Sequence, residues 1–125
     1  MEQETYKIME YDRVREMLAG CASSLIGKER AQTMLPTSDF DEAVEWIQQT
    51  TEAVTVLATA APPFGGIFDI RPHLKKVKMG AVLDLDEITS IMSTLYAMRN
   101  IKHFFRDSEV EAPTLRSWAR SIEIL

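Results

Sequence analysis

Very little in this sequence could serve catalysis or a membrane. Cys21 is the only cysteine in 125 residues. No disulfide can form within the chain, and a thiolate metal site would need ligands of other types. His73 and His103 are the only histidines and fall on different predicted helices, so no convergent imidazole set is expected. No apolar run approaches the roughly eighteen residues of a membrane span. The only Gly-Lys pair, Gly27-Lys28, is followed by Glu29 instead of Ser or Thr, and Ala22 stands where a phosphate loop opens on glycine. Backbone donors and a lysine placed for phosphates are therefore missing, and no nucleotide site is expected. The N-terminus, MEQETYKIMEYDRV, is polar and acidic with no hydrophobic signal segment, which points to the cytoplasm. A net charge of −5 disfavours a strongly nucleic-acid-binding domain but leaves room for a local basic patch.

What the chain does have is helical patterning. Its 46% hydrophobic and 26% charged residues suit a soluble globular domain, and its length suits one such domain, 1–125. In 11–22, Tyr11, Val14, Leu18 and Cys21 share one face, which predicts Cys21 to be a buried small hydrophobe. A second short helix over 23–35 stops at Pro36, since proline lacks an N–H and restricts the residue before it. A long helix over about 38–60 begins in one of two capping registers, Ser38/Asp41 or Asp39/Glu42. Along it Phe40, Val44, Ile47, Thr51, Val54, Ala58 and Ala61 alternate in steps of four and three, a heptad-like seam. A short helix over 72–79 ends at Gly80. Another long helix over about 84–106 starts at Asp84 with Glu87 three residues on. Leu85, Ile88, Met92 and Leu95 form one apolar stripe, with Ile91, Met98 and Phe105 beside it. A last helix starts at 114. The reading is all-α, a small bundle of five to six helices in which the two long ones pack together. The chain stops on Ser-Ile-Glu-Ile-Leu without a cap, which suggests a segment cut from a longer protein.

PPFGGIFDIRPHL (62–74) interrupts this pattern. Pro62 and Pro63 end the long helix, and Gly65 and Gly66 allow a positive-φ turn. Phe64, Ile67 and Phe68 are expected to tuck against the bundle. Asp69 is expected to cap the next helix, with Pro72 in its first turn. That makes Gly65, Gly66 and Asp69 a structural hinge and cap. Two basic stripes could meet phosphates: Arg71, Lys75, Lys76 and Lys78 on the short helix, and Arg99, Lys102 and Arg106 on the long one. A solvated face opposing a helix dipole explains the same residues.

The order of these signals resembles the N-terminal helical core and lever region of the MutS-like paralogue family of the second type, MutS-II. These are bacterial relatives of the mismatch-repair ATPase MutS. The resemblance rests on SSLIGKE, Leu35-Pro36, TEAVTVL and PFGGIFDIRPHL followed by GAVLDLDE. It implies a longer protein with a dimerising ATPase domain that binds ATP and Mg, and in many members a C-terminal Smr-type endonuclease domain. Implied partners are DNA, through mismatch-repair-related recombination suppression, or the ribosome and its rRNA, through rescue and quality control. No ATPase, nuclease, cofactor or metal residue can be carried onto this chain. Phe40-Asp41-Glu42 matches the Phe-x-Glu that reads mismatches in MutS, but here it lies in a capping turn. The alternative reading is an autonomous helical module that docks a protein partner.

Overall fold

The computed structural model describes residues 3–124. Among these the fold is all-α, with no strand and seven helices: α1 (Gln3–Ile8), α2 (Tyr11–Cys21), α3 (Leu25–Thr33), α4 (Phe40–Thr59), α5 (Arg71–Lys78), α6 (Leu85–Asp107) and α7 (Pro113–Arg120). The two long helices stand where the periodicity puts them. The helix beyond the expected six is α1, hidden in a stretch whose polar composition carries no apolar stripe. No helix among the described residues is long and apolar enough to cross a membrane.

The chain forms two compact units, Met1–Val44 and Glu45–Leu125. In the first, α2 packs against α3 and more lightly against α1, with Ala19 and Ala31 buried. The Ser24 side chain caps α3 by accepting from Gly27 N at 3.1 Å. The Tyr11 hydroxyl and the Arg15 guanidinium both donate to the carbonyl of Met34, and the guanidinium lies 5.0 Å from the Tyr11 ring centroid. Asp39 is the residue that caps α4. Its Oδ1 accepts from Glu42 N at 3.2 Å, which selects the second of the two expected registers.

In the second unit α6 packs against α7 and not lengthwise against α4, contrary to the expected pairing of the long helices. The core is a small cluster of Val56, Phe105, Ala112 and Ala119, flanked by Ile101, Phe104, Val110 and Leu115. Arg116 ties the α6–α7 connection together. It donates to the carbonyls of Phe105, Ser108 and Val110 at 2.7 to 3.1 Å, satisfying acceptors that the end of α6 leaves open. A full capping box starts α6: Glu87 N donates to Asp84 Oδ1 and Asp84 N donates to Glu87 Oε2, both at 2.9 Å. Gly80, at φ +80°, ends α5 as the sequence predicts. The last helix closes at Arg120. Ser121 there turns its hydroxyl onto the Trp118 carbonyl at 2.6 Å. Leu125 lies outside the described residues.

Candidate functional site

The 62–70 loop is fastened to α6 through its backbone. Phe68 N donates to Thr94 Oγ1 at 3.0 Å, and Ser93 Oγ donates to the Gly66 carbonyl at 3.0 Å. Gly66 sits at φ +82°, and a Cβ there would stand 3.2 Å from Ser93 Oγ, so both conformation and space favour glycine. The phenylalanines do not tuck in as expected: Phe64 and Phe68 are 40% and 51% exposed, and only Ile67 is half-buried. Polar bonds to α6 fix the loop where aromatic packing was expected to.

The N-cap position of α5 is Ile70, one residue later than Asp69. Asp69 nevertheless serves the helix start: its Oδ1 accepts from Arg71 N at 3.2 Å, and its carboxylate takes the Arg71 guanidinium at 2.7 and 2.9 Å. The Arg71 side chain, with the backbone bond and nearby positive charge, holds the Asp69 carboxyl below its usual value.

The seven basic residues of the two stripes separate into two groups. Arg71 is paired with Asp69. Arg106 is paired with Asp107 at 2.8 Å, which raises the arginine and lowers the aspartate. Lys102 donates to the Ile122 carbonyl. Lys75, Lys78 and Arg99 are exposed and make no ion pair among the described residues. Lys76, the remaining stripe member, donates to both Glu87 oxygens at 2.9 and 3.0 Å, and His73 Nδ1 lies 3.7 Å from the same carboxylate. The Lys76 bond, followed by the Asp84 N–H, depresses Glu87. Much of the basic character of α5 thus knits its own unit together.

The sequence reading missed Glu52. This buried carboxylate, 6% exposed, reaches from α4 to the N-terminus of α7. Its Oε2 accepts from Thr114 N and Leu115 N, each at 3.0 Å, and Oε1 accepts from Thr114 N at 3.2 Å. Ala112, the N-cap residue, has no side chain to offer, and Pro113 has no N–H. Glu52 therefore supplies the cap from 62 residues away. Burial raises its carboxyl, but the N–H bonds from Leu115 and Thr114 outweigh that, and the net shift is downward. A signal existed: Glu52 is the only charge in α4 between Trp46 and Thr59.

The predicted apolar faces form but are largely uncovered. On α4, Phe40, Val44, Ile47 and Val54 are all exposed, while Glu52 and Val56 are buried. On α6, Leu85, Ile88, Met92 and Leu95 are exposed, whereas in the stripe beside them Ile91 and Met98 are half-buried and Phe105 is buried, together with Thr94 and Ala97. The buried sides are chosen by small residues and by polar partners, which allow close approach and satisfy the backbone. Phe40 opens the α4 stripe, and Glu42 is bonded to the Thr37 hydroxyl at 2.6 Å, so Phe40-Asp41-Glu42 is a capping turn. Cys21 is exposed at the last position of α2, not buried, because the turn after it leaves that helix end open. Among the described residues no three His, Cys, Asp or Glu side chains gather as a metal site.

Comparison with known proteins places the chain. No family model matches it. Curated proteins named endonuclease MutS2 do. The protein from Bacillus cytotoxicus is 38% identical over 108 residues, covering 86% of this chain and 14% of the relative. That from Halalkalibacterium halodurans is 34% identical over 121 residues, 93% of this chain and 15% of the relative. That from Bacillus cereus is 35% identical over 126 aligned positions, 98% of this chain and 16% of the relative. The chain is homologous to MutS2 proteins over nearly its whole length and spans about one-sixth of theirs.

Proposed function

We propose that this segment, homologous to one region of the MutS2 proteins, is an N-terminal helical lever of a MutS2-like ATPase that acts on DNA or on ribosomes. In this reading it does no chemistry. It carries the nucleotide state of an ATPase domain to a nucleic-acid clamp, and any strand cleavage belongs to another part of the protein. ATP and Mg would bind in the ATPase domain, and dimerisation would lie largely there.

The observation that carries the reading is the Glu52 clasp combined with the uncovered faces. A lever needs struts that move as one piece, and Glu52 joins α4 to α7 through two backbone donors. It also needs surfaces on which neighbouring parts can seat, and α4 and α6 expose large apolar side chains along much of their lengths. Lys75, Lys78 and Arg99 would add a salt-sensitive contribution to nucleic-acid contact.

The test is the Glu52→Ala change in a full-length MutS2-like protein that contains this segment. Nucleotide affinity should stay within about twofold of the parent, while stimulation of ATP hydrolysis by nucleic acid or ribosomes falls at least about tenfold, as expected when coupling and not the ligand site is lost. Lost nucleotide affinity with intact stimulation would overturn the lever reading. The exposed apolar faces also suit the autonomous interaction module. A phosphate-binding loop downstream in the same reading frame supports the lever, and its absence supports the module.

A further inference from the structure

α5 is tied to the fold more firmly at its two flanks than along its length. On one side Phe68 N donates to Thr94 Oγ1, and on the other Asp84 and Glu87 close their capping box. The chain is thus anchored on α6 at residues 94 and 87, about 10 Å apart along a helix axis. Residues 69–83 bridge the two anchors. Within this stretch α5 buries no residue. Leu74 and Val77 are 52% and 50% exposed, and His73 and Lys76 are the only half-buried residues of the helix. Apolar packing therefore does little to hold α5 in place, and an eight-residue helix is marginal by itself in water. What holds it is polar. Lys76 Nζ donates to both oxygens of Glu87 at 2.9 and 3.0 Å, with His73 Nδ1 3.7 Å from the same carboxylate. The Asp69–Arg71 pair lies within the stretch and does not tie it to α6.

We propose that residues 69–83 form a strap that opens and closes on α6 as one unit, with the Lys76–Glu87 contact as its catch. Opening breaks that contact and unwinds α5, while Phe68 keeps its bond to Thr94 and Asp84 keeps its box with Glu87. Glu87 serves both elements, accepting from Asp84 N as well as from Lys76, so releasing the lysine leaves α6 capped. Between the anchors Glu87, Ser90, Ile91 and Thr94 share one face of α6, three and four residues apart. That face lies under the path of the strap and is half-buried at the first three and buried at Thr94. Opening uncovers Ser90 and Ile91. Lys75 and Lys78 ride on the strap, so these two exposed cations change position with it. The inference concerns the second unit alone and does not depend on the lever reading.

Native-state hydrogen exchange of the 125-residue chain across sub-denaturing urea reads the opening. The hydrogen-bonded amides from Leu74 to Ala81 should exchange at least about tenfold faster than those of α6 from Met98 to Phe105. Their rates should depend little on urea, because a local opening exposes little surface. Lys76→Met and Glu87→Gln each break the ion pair, and glutamine still suits the third position of the capping box. Each variant should speed α5 exchange at least about threefold, and so should high salt. Two variants guard against one misfolding, which circular dichroism would reveal. Glu52→Ala is the control. Its clasp stays closed while the strap opens, so it should speed the α6 and α7 amides and leave α5 within about twofold of the parent. If the α5 amides instead exchange at the rate of the α6 core, rise steeply with urea and respond to Glu52→Ala, then α5 leaves only when the whole unit unfolds and the strap is overturned. Exchange in α5 that neither Lys76→Met nor Glu87→Gln changes would overturn the catch.

Discussion

Replacing Glu52 with alanine should be the most destabilising single change at an apparently ordinary charged position of this chain. The carboxylate accepts from Thr114 N and Leu115 N, which the N-cap residue Ala112 cannot satisfy because its methyl side chain offers no acceptor. Removing an N-cap costs about 0.5–2 kcal/mol. Here the donors are partly buried, and each donor left unpaired costs about 1–3 kcal/mol, less where water enters the space vacated by the side chain. Together these place the loss at about 2–4 kcal/mol, on the order of 10 °C in the thermal midpoint. Glu52→Gln keeps one acceptor oxygen and should cost about 1 kcal/mol, mainly the charge at the helix N-terminus. The pH response separates the two effects. Because the folded carboxyl lies below the ordinary 4.5, its contribution is fully present above that value and is lost as pH falls through the depressed folded value. The parent–glutamine gap should therefore close in acid. Asp69, Glu87 and Asp107 are also depressed, but they remain in both proteins and cancel in the difference. Urea unfolding followed at the helical circular-dichroism band, at pH 7 and stepwise down to pH 3, measures both quantities. An alanine variant within about 0.5 kcal/mol of the parent would refute the clasp. So would a parent–glutamine gap that does not change with pH.

Other changes probe the remaining features. Thr94→Val should leave Phe68 N without its acceptor and lower stability by about 1–3 kcal/mol in the same unfolding assay, with faster amide exchange over 64–69. Gly66→Ala should cost about 1–2 kcal/mol, because a side chain is strained at φ +82° and its Cβ crowds Ser93 Oγ. Asp69→Ala should lower the thermal midpoint by less than Glu52→Ala does, since its bonds to Arg71 are more exposed. Any nucleic-acid binding by the isolated chain should be weak, fall steeply with salt and drop on combined charge reversal at Lys75, Lys78 and Arg99, as read by fluorescence anisotropy; tight binding indifferent to that change would remove the basic patch. The same chain should neither hydrolyse ATP nor cleave DNA in phosphate-release and gel assays, because no phosphate loop is present.

The helices were legible because caps and breakers act locally. Asp84 and Glu87 are three residues apart and close their box without help from the rest of the fold. Pro36 and Gly80 act through their own backbones in the same way. What periodicity could not supply was the partner. The stripes on α4 and α6 were read as mutual core, yet α6 packs on α7, and the α4 seam and the Leu85–Leu95 stripe stay exposed while Phe105 of the neighbouring stripe enters the core. A stripe reports that a face is fit to be covered; it does not say by what. The residues that do hold the second unit together reach across the sequence by polar bonds: Glu52 to α7, Arg116 to three carbonyls after and at the end of α6, Thr94 to the 62–70 loop. Such bonds have no period, so a pattern reading passes over them.

The basic stripes divide for a related reason. Arg71, Lys75, Lys76 and Lys78 look like one phosphate-seeking row in sequence, but a cation's availability depends on which acids the fold brings to it. Asp69 comes from the same turn and Glu87 from the next helix, and they engage Arg71 and Lys76. Lys75 and Lys78, one position away from Lys76 or two, point clear of both. The single charge within the outer half of α4 teaches the complementary lesson. In a stretch of α4 otherwise free of charge, Glu52 could have been taken for the solvent-facing residue and the apolar stripe for the core, and the structure has them the other way round. An isolated acid in an apolar helix is costly to bury without donors, so its burial implies a donor set elsewhere. The N-terminus of α7, with a proline at its first position and no capping side chain of its own, needs such an acceptor.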